Sequence, residues 1–270
     1  MNNQNRDYNT ITALEKLEWE ALQEKEIVYH NGQPTKIRKS QYRHYPKAVR
    51  HYISLFPNNF IDAVDLIAEK ALLITIIDKF QILLDNVNTT EREILNFIRN
   101  NNAYFLIGAI LKSSYRFGHH ALHIIPEFPL TISHKPDFVI IGQNSAGYHF
   151  VFVELENPYN HITTKAGSHG TTIRKGIKQI DDWEIWMEKY YSHLKPVFEN
   201  KKNATMHLPN EFFEFDKTRM HYVVIAGRRD DFNEHTRRLN RTMLEQRKLL
   251  IIHYDNIIEE ARDIIGQSTF

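Results

Sequence analysis

The chain of 270 residues contains no cysteine. That absence excludes a disulfide framework, a Cys-ligated zinc site and a cysteine nucleophile, and it fits a reducing cytoplasm as the expected compartment. Long apolar runs are missing as well. The longest, ALLITII at 71–77, is closed by Asp78 and Lys79, far short of the ~20 residues a membrane span needs. The opening MNNQNRDYNT is polar and carries no apolar core of the signal-peptide kind. Nor does either sign of charge dominate: 34 basic and 33 acidic residues leave a net charge of +1. Such a balance exerts no global pull on nucleic acid, so any binding of that kind rests on local patches. Phosphate-binding loops are absent, and Ser168-His169-Gly170 lacks the pattern of a nucleophile elbow. His119 and His123 stand four apart, but no glutamate follows the first, so a helical zinc pair of the HExxH type is not present.

What is present is the material of an ordinary folded protein. A chain of this length can bury roughly three-quarters of its unfolded surface, so it folds without staples. Segment 1–40 is polar, with a turn expected at Asn31-Gly32-Gln33-Pro34. From 46 to 86 apolar residues recur at helical spacing, which predicts two or three helices with a break at Pro57. Thr90 with Glu93 reads as a capping box at a helix start, with Ile94, Leu95, Phe97 and Ile98 on the buried face. Another apolar segment covers 104–111. The texture then changes to short runs rich in β-branched and aromatic residues at 123–130, 135–142 and 148–156, which read as strands. A helix follows over 172–191, with Ile173, Ile177, Ile180, Ile185 and Trp186 available for packing. Beyond a polar loop at 199–209 come a strand at 222–226, a helix from 233 to 247, a strand at 249–254 and a last helix capped by Asp255. This order predicts an α/β fold with a mixed sheet flanked by helices, preceded by a mainly helical N-terminal region (1–88, then 89–270).

Chemistry concentrates in the hairpin of 135–142 and 148–156, joined by Asn144-Ser145-Ala146-Gly147. Symmetric closure pairs Gly142 with His149 and sets Asp137 directly opposite Glu154, with β-carbons roughly 5 Å apart on one face. Two carboxylates so placed repel one another unless a cation sits between them. Oxygen ligands of this kind are those Mg²⁺ and Mn²⁺ prefer, and such an ion activates water and stabilises charge on a phosphate. Alternation places Glu156 on the same face as Glu154, and Val151, Val153 and Leu155 on the other. Glu127, in the preceding strand, is a candidate third ligand. Lys175 and Gln179 are four apart on the next helix and share a face, a lysine to act on the attacking water or the phosphate and a glutamine to hold a phosphate or water. Two basic groups are candidate nucleic-acid patches: Arg174, Lys175 and Lys178, and the run from Arg228 through Arg237, Arg238, Arg241 and Arg247 to Lys248. Interspersed Asp230, Asp231, Glu234 and Glu245 favour a solvated helix face for the second.

The run PDFVIIGQNSAGYHFVFVELENP, followed by IRKGIKQIDDW, resembles the nuclease domain of the Shedu family of bacterial antiphage proteins. Similarity continues through YVVIAGRR and IIHYDNIIEEAR, covering about 90–270. The resemblance implies a PD-(D/E)xK, restriction-endonuclease-like domain, in which Asp137 matches the motif aspartate, Glu154 the motif glutamate and Gln179 the helix glutamine. It implies a Mg²⁺- or Mn²⁺-dependent DNA endonuclease in phage defence, acting on double-stranded DNA and assembling as a homo-oligomer, a tetramer or dimer. One departure matters: Glu156 stands where the motif lysine is expected. Lys175 is the first substitute, with Lys165 or Lys178 next; otherwise Glu156 itself takes a metal, or the chain binds DNA or senses a partner without turnover.

Overall fold

The computed structural model describes residues 6–270, so the first five residues of the polar opening lie outside the described residues. Helix α1 (Ala13–Lys25) starts with a capping box in which Thr12 accepts from Glu15 N and Glu15 reaches back to Thr12 N. None of its residues is buried. Strands β1 (Ile27–His30) and β2 (Gln33–Arg38) form an antiparallel hairpin. Its turn is tighter than the sequence predicts: Asn31 and Gly32, at φ of 48° and 74°, make the two-residue left-handed turn, and Pro34 already lies in β2.

Helices α2 (Lys47–Tyr52), α3 (Ala63–Ala68) and α4 (Lys70–Asp85) follow, and Pro57 opens a 3₁₀ turn between the first two. On α4 the buried residues Leu73, Ile76, Ile77, Phe80 and Leu84 recur every three to four positions, the stripe that turns inward. Thr90 caps α5 (Glu91–Asn100) with the expected Glu93 box, and Ile94 and Ile98 are its buried residues. The apolar segment beyond splits into α6 (Tyr104–Gly108) and α7 (Ile110–Ser114).

The central sheet begins with β3 (Ala121–Pro126), β4 (Phe138–Asn144) and β5 (Gly147–Leu155), which pair antiparallel in turn. Strand β3 stops four residues before the expected end because Glu127 takes a left-handed backbone, φ 47°. The β4–β5 loop shortens to Ser145-Ala146, since Asn144 and Gly147 still pair. Helix α8 (Thr171–Tyr190) and the short α9 (Lys195–Glu199) lead to β6 (Met220–Ile225), and α10 (Glu234–Arg247) leads to β7 (Leu249–Ile252). Strands β5, β6 and β7 run parallel, each crossover carried by a helix, so the five-stranded sheet of order β3-β4-β5-β6-β7 is mixed. The last helix, α11 (Tyr254–Ile264), is capped by His253 rather than Asp255, which sits inside the first turn and binds Arg228 instead.

The sheet is covered on both faces. Ile140, Val151, Val153, Leu155 and Val223 point towards α4, α5, α6, α7 and α11. Val139, Ile141, Phe150, Phe152 and Tyr222 point towards α8 and α9. Burial on alternate residues to two different cores is why these strands read as nearly continuous apolar runs. On α8, Ile173, Ile180, Trp183 and Met187 face inward, whereas Ile185 is 56 % exposed. The N-terminal helices are not a separate body: Leu73, Ile77 and Phe80 of α4 share one core with Ile94, Val153 and Ile257. The result is the mixed α/β arrangement of a restriction-endonuclease-like domain with a helical N-terminal region. Among the described residues, no helix is long and apolar enough to cross a membrane.

Candidate active site

The β4–β5 ladder runs in the register that sets Gly142 against His149 and Phe138 against Val153. Asp137, immediately before β4, therefore faces Glu154 on β5. One oxygen of Asp137 accepts from Leu155 N at 2.7 Å, which pins the carboxylate across the strand pair. Glu154 points to the α8 side, as Phe150 and Phe152 do, and Glu156 follows just past the strand end. The Glu156 main chain is held at both ends, its N–H donating to Ile225 O at 2.8 Å and its carbonyl accepting from Tyr254 Oη at 2.7 Å.

Helix α8 closes over this group. It can do so because Gly170 and Gly176 have no side chains. A β-carbon at Gly170 would lie 1.7 Å from His161 O, and one at Gly176 would lie 2.9 Å from Val224 Cγ1 and 3.3 Å from Glu156 Cγ. Seated this closely, α8 brings Gln179 Nε2 to Glu154 Oε1 and Lys175 Nζ to Glu156 Oε2, the latter at 2.9 Å. Lys175 Nζ also lies 3.5 Å from Glu91 Oε2, on the first residue of α5.

The structure thus gathers Asp137, Glu154, Glu156, Lys175 and Gln179 and adds Glu91, which the sequence reading did not single out. The capping box at Thr90 located that helix start, but nothing in the sequence said which element it would abut. Glu127 is not brought in. Its left-handed backbone breaks the strand alternation, and its half-exposed carboxylate pairs with Arg99 at 3.3 Å. Lys165 and Lys178 are exposed and form no ion pair with the group. In the second basic run, Arg228, Arg229, Arg241 and Arg247 are engaged by Asp255, Glu259, Glu234 and by Asp181 with Glu184. Arg174 and Lys178 remain exposed beside the site.

Electrostatics at the site are unfavourable for the bare protein. Glu154 is 4 % exposed and Glu156 2 %. Burial, then the charges of Asp137 and Glu156, push the Glu154 carboxyl far above the usual carboxylate range. Burial likewise raises Asp137, against the hydrogen bond from Leu155 N, and raises Glu156 to about 7, against the hydrogen bond and charge of Lys175. Burial lowers Lys175, but Glu156 and Glu91 outweigh it and hold the ammonium above its ordinary value. Glu154 Oε2, Glu156 Oε1 and Gln179 Oε1 are buried without a hydrogen-bond partner. Hard oxygen donors in an anionic group are what Mg²⁺ or Mn²⁺ takes, and they fit such an ion. Among the described residues no group of three or more acidic or histidine side chains is placed to hold a metal ion, so the donors in question are the oxygens of Asp137 and Glu154. The His119–His123 pair forms no such set either. His123 is fully buried against Phe56 and Phe60. A cavity of about 620 Å³ lies apart from this chemistry, lined by Lys47, His51, Asp65, Tyr104 and Phe270 and by none of the site residues.

A comparison with curated proteins finds no match. The model of the family described as Shedu protein SduA, C-terminal, matches residues 88–258, which span the sheet, α5 and α8. The chain belongs to the Shedu SduA family of antiphage defence proteins.

Proposed function

We propose that the protein is a metal-dependent DNA endonuclease of the PD-(D/E)xK type, serving in antiphage defence. The observation that carries this reading is the buried group Asp137, Glu154 and Glu156, closed by Lys175 and Gln179 of α8. Asp137 and Glu154 would hold Mg²⁺ or Mn²⁺. When bound, that ion supplies charge neutralisation at the phosphate and lowers the pKa of water. Hydrolysis adds water across one P–O bond: the water oxygen joins phosphorus, and the leaving hydroxyl departs with a proton. Glu156, paired with Lys175 beside the carboxylates that would hold the ion, is placed to take the proton from the attacking water. Lys175, held protonated by Glu156 and Glu91, donates to the phosphoryl oxygens, where negative charge grows. It cannot be the base while so held. Gln179 fixes the rotamer of Glu154 through its amide. The acid at 156 and the lysine on α8 are thus one exchange: the cation absent from the strand arrives from the helix.

Cleavage of linear and supercoiled double-stranded DNA with Mg²⁺, with Mn²⁺ and with chelator tests the reading, with Asp137→Ala beside the parent. Metal-dependent cutting is expected, and none in the variant. Cutting that survives Asp137→Ala in a folded protein would sink the assignment. DNA binding without any turnover would point instead to a nuclease scaffold that senses or binds. Assembly as a dimer or tetramer, which the family implies, is readable by light scattering of the same preparation.

A further inference from the structure

Along α8 the residues Lys175, Gln179, Asp182, Trp186 and Lys189 recur every three to four positions and so lie on one flank of the helix. The first two close the carboxylate group. The others line a groove of about 320 Å³ together with His134, Ile185 and Tyr190. Its opposite wall is equally connected to the site: His134 stands three residues before Asp137, in the loop that delivers that aspartate. Both walls of the groove therefore belong to segments that carry or lead to candidate active-site residues. Gln179 and Trp186 are seven residues apart, about 10 Å along the helix.

The groove is aromatic where a surface helix is normally polar. Trp186 and Tyr190 have ring centroids 5.9 Å apart, and His193 continues the row 5.5 Å beyond Tyr190. Tyr190 is 45 % exposed and Ile185 56 %. Lys189 lies in the groove, and Lys135 and Lys178 are exposed on the two bordering segments. Asp182 is the carboxylate among the six lining residues and offers an acceptor to base N–H groups. Aromatic faces interleaved with lysines, running away from a phosphodiester-cleaving centre, match one ligand: unpaired bases with their phosphates. A duplex keeps its bases stacked inside and has no ring face to offer.

We infer that the groove between α8 and the 131–136 loop is a binding site for an unpaired strand of DNA leading into or out of the active site. Trp186 and Tyr190 stack its bases, and Lys189 with Lys178 and Lys135 contacts its phosphates. The inference rests on the proposed nuclease function for the polarity of the groove, but it is testable without turnover.

The test is fluorescence anisotropy in chelator, titrating the full-length protein into a short labelled oligothymidylate, a blunt duplex and an oligouridylate. Trp186→Ala is expected to weaken oligothymidylate binding about tenfold, Tyr190→Ala to act in the same direction, and Trp186→Phe to retain it. Duplex affinity is expected to stay unchanged in all three variants. Tyr190 is exposed enough that its alanine variant keeps the fold, which circular dichroism checks if Trp186→Ala unfolds. Absent oligothymidylate binding, parental affinity in both alanine variants, or tighter binding of oligouridylate than of oligothymidylate overturns the inference. Failure of the nuclease reading looks different: the binding pattern holds, and metal-stimulated cleavage is missing.

Discussion

Glu154 meets its neighbours under unfavourable terms. Its carboxyl is buried, faces Asp137 and Glu156, and has one oxygen with no partner. The folded-state pKa of all three carboxyls is raised, so the native protein holds more protons than the unfolded chain once pH passes the ordinary carboxylate range. Stability from these groups is complete at acid pH and is lost as pH rises through neutrality. The metal-free protein is therefore expected to melt at progressively lower temperature as pH rises from the ordinary carboxylate range through neutrality. Mg²⁺ or Mn²⁺ should restore it, with a larger shift at pH 8 than at pH 6. In Glu154→Gln the metal-free protein should melt at least as high as the parent at pH 8, yet show little metal-induced rise and no cleavage. A metal response equal to the parent's would remove Glu154 from the ligand set. Lys175 acts differently. Lys175→Ala should lower kcat on the order of a hundredfold or more with KM for DNA nearly unchanged, because the ammonium is assigned to charge that develops only in the transition state. A variant that loses affinity but keeps kcat would show that the lysine only attracts DNA.

At the scale of elements, the site is an encounter of three: the β4–β5 hairpin, α8 and the start of α5. The hairpin register follows from a two-residue loop and from alternate burial, since a slip of one residue would turn Glu154 into the α4–α11 core and Val153 towards α8. The seat of α8 depends on Gly176, whose missing side chain accommodates Val224 and Glu156. Gly176→Ala is expected to cost about 1–3 kcal/mol in urea unfolding and to impair cleavage, by pushing Lys175 and Gln179 off their carboxylates. Equal stability with full activity would show that the helix shifts freely at that point. The placement of α5 is also tied to local chemistry. Losing its cap in Thr90→Ala should cost about 1 kcal/mol.

For the whole molecule, the decisive fact is that α4 belongs to the same core as the sheet. Leu73, Ile76, Ile77, Phe80 and Leu84 turn inward on it, and Arg262 of α11 reaches Asp78 on its exposed side at 2.8 Å. A fragment beginning at 89 would bare the surface this stripe covers, although the family match begins at 88. Such a fragment is expected to bind a hydrophobic dye and aggregate, and Phe80→Ala in the full chain to lose about 3–5 kcal/mol. A soluble, cooperatively melting fragment would show that α4 is dispensable. By contrast, Leu14, Leu17, Tyr29 and Ile37 of α1 and the β1–β2 hairpin are well exposed, so residues before α2 contribute little to that core.

The sequence by itself determined the alternation, the caps and the turn chemistry. From these the opposition of Asp137 and Glu154, the Thr90 cap and the shared face of Lys175 and Gln179 were legible, because each depends on residues close along the chain or joined by one short loop. Where a single backbone angle or a contact from afar intervened, local pattern was insufficient. The left-handed Glu127 ended β3 early and turned its carboxylate to Arg99. The exchange of the Asp255 cap for His253 depended on Arg228 claiming the aspartate. Tertiary structure alone decided that Glu91 comes within reach of Lys175 and that Lys175 rather than Lys165 or Lys178 meets Glu156. The physical reason is distance along the chain: Glu91 and Lys175 are 84 residues apart, and only packing against a common sheet brings them together.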